Sequence, residues 1–234
     1  MTREEIVNRW GRPASAGFPR STVQLLNRRT MALVFQSDSA AIRAVLPEPL
    51  TPLPAERVIH CWSRLPGSAG APDSYQTRLV IPCRLGGMPC HYLALDRLSE
   101  TAPSGSQDDC PAAERQLRAR LAPRPPVRLE ASLSRVQCVL NRVADVDGGP
   151  ALAQLIGMCP LDVSVKNWWA AGGQLPGQVR LDPDIDASVD AGRLGLPLRQ
   201  LVGAHYYIAD MTLQAGRVLV DYLRPDRRLH ANAA

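Results

Sequence analysis

Lysine is almost missing from this chain of 234 residues: of its 27 Lys and Arg residues only Lys166 is a lysine. Any chemistry that needs an amine nucleophile on a side chain must therefore use Lys166. The six cysteines (Cys61, Cys83, Cys90, Cys110, Cys138, Cys159) form no CxxC pair and show no zinc spacing. Reduced thiols in a cytoplasm are the simplest reading. No apolar run approaches the ~18 residues of a membrane span, and the charged start MTREEIVNRW does not read as a secretory leader. Aromatics make up only 5%. None interleaves with Arg115, Arg118, Arg120, Arg124 and Arg128, so that run reads as a solvated helix face in preference to a nucleic-acid strip. Gly-x-Ser-x-Gly is absent, and PSGSQ lacks the lysine of a phosphate loop. The expectation is no metal, no cofactor, no nucleic-acid partner and no membrane.

What is present is an ordinary globular composition, 45% hydrophobic and 21% charged, with a net charge of +5. No linker or repeat divides it, so a single domain over 1–234 is expected. Residues 2–10 read as a short helix with a Thr2/Glu5 capping box. Residues 27–37 alternate as a strand, and Ser37 is placed to cap a short helix that Pro47 stops. Further strands are expected at 57–65, on both sides of Gly86-Gly87, and over 127–145, 160–169, 178–183 and much of 198–223. A helix is expected from Pro111 to Pro123. The fold class is mainly β with a few short helices (α+β), in a barrel-like antiparallel architecture.

Three stretches at matching spacing resemble the acetoacetate decarboxylase family: GFPR (17–20) with Asn27-Arg28 opening a strand, LPEPL (46–50), and the closing HYYIADMTLQAGRVLVDYL (205–223). Cys159-Pro160 leading to Lys166 is similar in pattern. The resemblance covers most of the chain. It implies a closed, cone-like antiparallel β-barrel, usually assembled into homo-oligomers.

The family's chemistry uses a lysine that forms a Schiff base with a keto acid, in a Gly-Arg-Glu stretch running to Pro-Lys-Lys. The matching region here is GSQDDCPAA (105–113). Ser106 and Gln107 replace arginine and glutamate, and Ala112 and Ala113 stand where the lysines should be. Arginine cannot substitute, because it stays protonated. Lys166 matches a non-catalytic lysine of the family, which implies a structural role. The family's two glutamates fall on His60, counting from Pro-Glu-Pro-Leu, and on Gln76, or Tyr75 if the register slips. The arginine that opens the early strand survives as Arg28.

His60, Arg28 and Gln76 are therefore the candidate catalytic set, with Tyr75, Trp62, Asp108 and Asp109 as candidate substrate contacts. Each has a structural alternative: a core histidine in VIHCW, a salt-bridged arginine, helix-capping aspartates, packed aromatics. The function expected is a cytoplasmic, cofactor-independent enzyme acting on a carbonyl-bearing, polyketide-like small molecule in specialised metabolism. The reaction would be a cyclisation, dehydration, isomerisation or pericyclic closure without a Schiff base. Non-covalent decarboxylation of a β-keto acid, or ligand binding without turnover, are the alternatives.

Overall fold

The computed structural model describes residues 1–8, 18–67, 72–99, 121–123, 127–144, 150–172 and 187–224. Helix α1 (Arg3–Asn8) precedes strand β1 (Val23–Gln36), helix α2 (Ser39–Val45) and strands β2 (Thr51–Pro52), β3 (Arg57–Leu65), β4 (Ser74–Leu85), β5 (Met88–Ser99) and β6 (Ala122–Pro123). Helix α3 (Val127–Leu133), strands β7 (Val136–Ala144), β8 (Pro150–Met158) and β9 (Pro160–Gly172), helix α4 (Ala187–Arg193) and strands β10 (Gln200–Leu213) and β11 (Arg217–Asp221) complete it.

The strands form one sheet in the order β11-β8-β7-β5-β4-β3-β1-β10-β9-β6, with β2 on β4. The mainly β class is as expected. Closure is not: among the described residues the hydrogen-bonded ladder ends at β11 and β6. Nor is it wholly antiparallel, since β5 and β7 pair in parallel over Cys90–Val136 to Tyr92–Cys138.

Local chemistry accounts for several boundaries. The Thr2/Glu5 capping box forms reciprocally: the Glu5 amide donates to Thr2 Oγ1 (3.2 Å) and the Thr2 amide to Glu5 Oε2 (2.7 Å). Ser37, in contrast, does not cap α2. The cap residue is Asp38, without a side-chain cap bond, and Ser37 Oγ donates to the Pro197 carbonyl at 2.7 Å. The β4–β5 turn uses Gly86 (φ 55°) and Gly87 (φ 92°), a backbone shape that side chains with a Cβ avoid.

The stretch 127–133 is helical, against the expectation of a strand. Its apolar residues alternate at Val127, Leu129, Ala131 and Leu133, which also places Leu129 and Leu133 one helical turn apart on one face. Tertiary packing selects the second option: Glu130 Oε1 accepts from the Val165 amide at 3.1 Å and anchors α3 on β9. Strand β8 and helix α4 had no clear sequence signal. The expected strand over 178–183 and the expected helix from Pro111 as far as residue 120 lie outside the described residues, and the last two residues of that helix, Ala122–Pro123, are instead strand β6, paired with Ala170 and Trp169 of β9.

Strand alternation separates two faces. The outer face carries Val58, Leu79, Ile81, Tyr92 and Leu155 under α1, α2 and α4, contacted by Ile6, Ile42 and Ala191. The inner face carries smaller clusters around Val80, Leu93 and Ile156 and around Ala32, Tyr207 and Ala209, with α3 against it.

Candidate functional site

The inner face surrounds a cavity of about 840 Å³. Its walls come from β1, β3, β4, β5, β7, β9, β10 and α3. Most of the lining is aliphatic. The exceptions are Arg28, Arg78, Gln137, His91, His205 and Tyr207, with Cys61, Ser132 and Trp168.

Arg28 reaches this cavity because of a β-bulge. The β1–β10 register jumps from Leu25–Met211 to Arg28–Ala209, so β1 carries one extra residue there. Asn27 absorbs it with φ 51°. Its amide donates to Asp210 Oδ1 at 2.6 Å, and Lys166 Nζ donates to Asn27 Oδ1 at 2.6 Å while pairing with Asp210 Oδ2 at 2.7 Å. The chain's single lysine thus pins a bulge and does not line the cavity.

Arg28 is only 3% exposed. Its Nη2 donates to Ser63 Oγ at 2.9 Å, its Nη1 makes a weak contact with Met211 Sδ at 3.8 Å, and its Nε has no partner. Among the described residues no carboxylate pairs with it. Burial, and then the neighbouring Arg78 charge, bring its pKa down to about 10. A guanidinium this under-compensated in an apolar wall is an anion-binding group.

Arg78 is better satisfied. Its Nε and Nη2 meet Asp96 Oδ2 at 3.2 and 3.1 Å, and its Nη1 donates to Gln137 Oε1 at 3.3 Å. Gln76 sits behind this pair, with Nε2 donating to Asp96 Oδ1 at 2.8 Å and Oε1 buried without a partner. Two buried arginines against one buried aspartate leave this end of the cavity net cationic.

The other polar lining groups are neutral near pH 7. Burial lifts Cys61 to about 11 and Tyr207 to about 12, so both keep their protons. Burial and the Arg135 charge lower His91 to about 4. His205, lowered by burial, accepts from Trp168 Nε1–H at its Nδ1 (3.3 Å), with the rings stacked at 5.8 Å.

The expected site residues do not all meet. Arg28 lines the cavity, and Gln76 backs its wall without lining it. His60 lies on the opposite face, 2% exposed, with Nε2 3.5 Å from Asp190 Oδ2. That hydrogen bond, more than any other partner, holds the Asp190 carboxyl below its ordinary range; Arg97, at 3.0 Å, adds to it. Trp62 and Tyr75 are also on that face, with ring centroids 5.6 Å apart in a cluster with Met31, Leu33 and Tyr206. The pleat explains the difference: counting from Pro-Glu-Pro-Leu reaches His60, but β3 turns Ile59, Cys61 and Ser63 inward. Asp108 and Asp109 lie outside the described residues.

Sequence reading missed Arg78, Gln137, His205 and Tyr207, and it assigned His91 to packing. The available signal was period-two alternation, which puts His205 on one face with Tyr207, Ala209 and Met211, and His91 with Leu93.

No protein-family model matches the chain. An acetoacetate decarboxylase of Chromobacterium violaceum is 30% identical over 239 residues, covering 90% of this chain and 93% of that protein. One of Acidiphilium cryptum is 28% identical and covers 89% and 93%. Among solved structures, acetoacetate decarboxylase of Legionella pneumophila superposes with a TM-score of 0.66 at 22% identity, over 94% of this chain and 96% of that one. The enduracididine biosynthesis enzyme MppR, complexed with pyruvate, superposes with a TM-score of 0.55 at 14% identity, over 87% and 92%.

Proposed function

The chain belongs to the acetoacetate decarboxylase family, and from that premise we propose that it is an enzyme that binds a carbonyl-bearing anion and stabilises its enolate without forming an imine. One observation carries this reading. The only lysine is tied to Asp210 and Asn27 at the bulge, while the cavity presents a buried arginine with no carboxylate partner among the described residues. Covalent capture by a lysine has no group to perform it, whereas electrostatic capture does.

The chemistry follows from the wall. Arg28 holds the anionic oxygen, and Arg78 adds a fixed positive field. As a bond to the α-carbon breaks, its electron pair moves onto the carbonyl oxygen, where an N–H donor meets the developing charge. The neutral imidazole of His91 can relay a proton, and an anion bound nearby raises its basicity. Such a site suits isomerisation, dehydration or cyclisation of a polyketide-like intermediate in specialised metabolism. An aliphatic cavity of this volume confines a flexible substrate near a reactive shape. MppR, with pyruvate in its structure, shows that a related scaffold holds a small keto acid.

A second reading keeps the relatives' named reaction. There the carboxylate leaves as carbon dioxide, its bonding pair passes to the ketone oxygen as an enolate, and a proton then returns to carbon.

Proton NMR in deuterated water tests both readings, with acetoacetate and 3,5-dioxohexanoate as probes. Deuterium uptake at the carbon between the carbonyls, faster than without protein, supports enolate stabilisation. Accelerated loss of carbon dioxide favours the second reading. Borohydride with either probe should leave the mass of the protein unchanged. Arg28→Leu should weaken binding by about 30-fold or more, as expected for removal of a buried charged partner. A stable adduct at Lys166, or unaltered binding after Arg28→Leu, removes the proposal; tight binding without exchange or turnover identifies a ligand-binding protein instead.

A further inference from the structure

We propose that His205, oriented by Trp168, is a second recognition point of this cavity: a fixed N–H donor for a carbonyl oxygen lying several bonds from the anionic group that meets Arg28. The inference rests on the anion-binding reading of Arg28 and names the class of ligand more narrowly.

The first element is the tautomer. Trp168 Nε1–H is only a donor, so its 3.3 Å bond to His205 Nδ1 requires a lone pair on that nitrogen. The neutral ring then carries its proton on Nε2. Charging the ring would break the Trp168 bond and bury a cation. The ring stack with Trp168 fixes the plane as well as the tautomer.

The second element is the open end. His205 Nε2 has no hydrogen-bond partner among the described residues, and it is not one of the fully buried atoms left unsatisfied. The ring itself lines the cavity. Its Nε2 leans toward Gly203, 3.9 Å from where a Cβ on that glycine would stand. An N–H so placed is a donor awaiting an acceptor.

The third element is distance. The Arg28 guanidinium is held by Ser63, whose partner across β1 is Thr30. His205 pairs with Ala32, and the ring leans on toward the level of Val34, which pairs with Gly203. Two to four strand residues separate the donors, roughly 7 to 13 Å at the usual rise. Allowing about 2.9 Å for each hydrogen bond, the two acceptor oxygens must lie roughly 1 to 7 Å apart, and the carboxylate and ketone of a four-carbon β-keto acid meet only the lower part of that span. A longer oxo acid, with an additional carbonyl further along its chain, reaches both.

Matched acids test this. Butanoate, hexanoate and octanoate are titrated by calorimetry beside 3-oxobutanoate, 5-oxohexanoate and 7-oxooctanoate. The oxo group should improve affinity about three- to ten-fold, the range of one net hydrogen bond, for the longer pairs and by less for the shortest. His205→Phe should remove that gain. His205→Gln, whose amide nitrogen reaches the Nε2 position, should restore most of it. Imidazole ¹⁵N NMR should show Nε2 protonated and Nδ1 bare at neutral pH, with the preference weakened in Trp168→Phe.

An imidazolium or an Nδ1–H tautomer would overturn the proposal, as would an oxo gain equal at all lengths or surviving His205→Phe. Plain acids that bind through Arg28 but gain nothing from the oxo group leave the anion reading standing and end this one. If none of the six acids binds, both fall.

Discussion

The two faces of the sheet hold similar residues in opposite conditions. Each carries a histidine, an arginine–aspartate contact and a tryptophan. On the outer face these groups are packed among themselves: His60 lies against Asp190, Asp190 against Arg97, and Trp62 against Tyr75. Three thiols, Cys83, Cys90 and Cys138, are fully buried there, and contact with the Cys90 thiol, followed by burial, pushes Cys83 and Cys138 up. On the inner face the polar groups border a space, and Arg28 and His205 each keep donor capacity that no described protein group uses. Residue type therefore says little about role in this fold. Whether a polar group with an unused donor borders open space says much more: Trp62 Nε1 on the outer face also lacks a partner, but it is sealed in packing.

On this contrast, damage to the outer face should appear in stability and not in ligand binding. Trp62→Ala should lower unfolding free energy by about 3–5 kcal/mol, the usual range for emptying a large aromatic site. Urea denaturation measures that loss, and the folded fraction should bind octanoate as the wild type does. A many-fold loss of affinity would mean that the two faces are coupled.

The next effect in size comes from His91 on the inner face. Its pKa of about 4 in the folded chain lies below its ordinary 6.5. Between those values the unfolded chain takes up a proton and the folded chain does not. Stability is therefore full above pH 6.5, declines as pH falls toward 4, and loses nothing more to this group below that. The full swing is about 3 kcal/mol. His91→Leu should flatten the melting-temperature profile across this window; an unchanged slope would mean that the imidazole is solvated.

The smallest effect belongs to His60. His60→Leu removes one long hydrogen bond to Asp190, which keeps Arg97. A stability loss of about 1–2 kcal/mol is expected, with octanoate affinity unchanged. A ten-fold fall in affinity would move His60 back into the binding site and break the distinction between the faces.

Much of the architecture was legible in the chain, because its signals were local. The capping box at Thr2 and Glu5, the glycine pair at 86–87 and the alternation of β1, β3 and β10 act over a few residues. Helix α3 was not legible, because alternation at 127–133 satisfies a strand and a helix equally until β9 and Glu130 choose. For the site, Arg28 could be found from its family position. His60 could not be excluded, since a count along the chain does not carry the pleat.

By itself the sequence determined that covalent amine chemistry rests on Lys166 alone, because composition fixes which reactive groups exist. It also determined a β-rich chain, through two-residue alternation and turn glycines. Only the tertiary structure decided where Lys166 points, which histidines reach the cavity and which of the two cavity arginines lacks a carboxylate partner among the described residues. Those outcomes depend on a bulge, a pleat and strand partners distant in sequence, and their energies arise only when the strands come together.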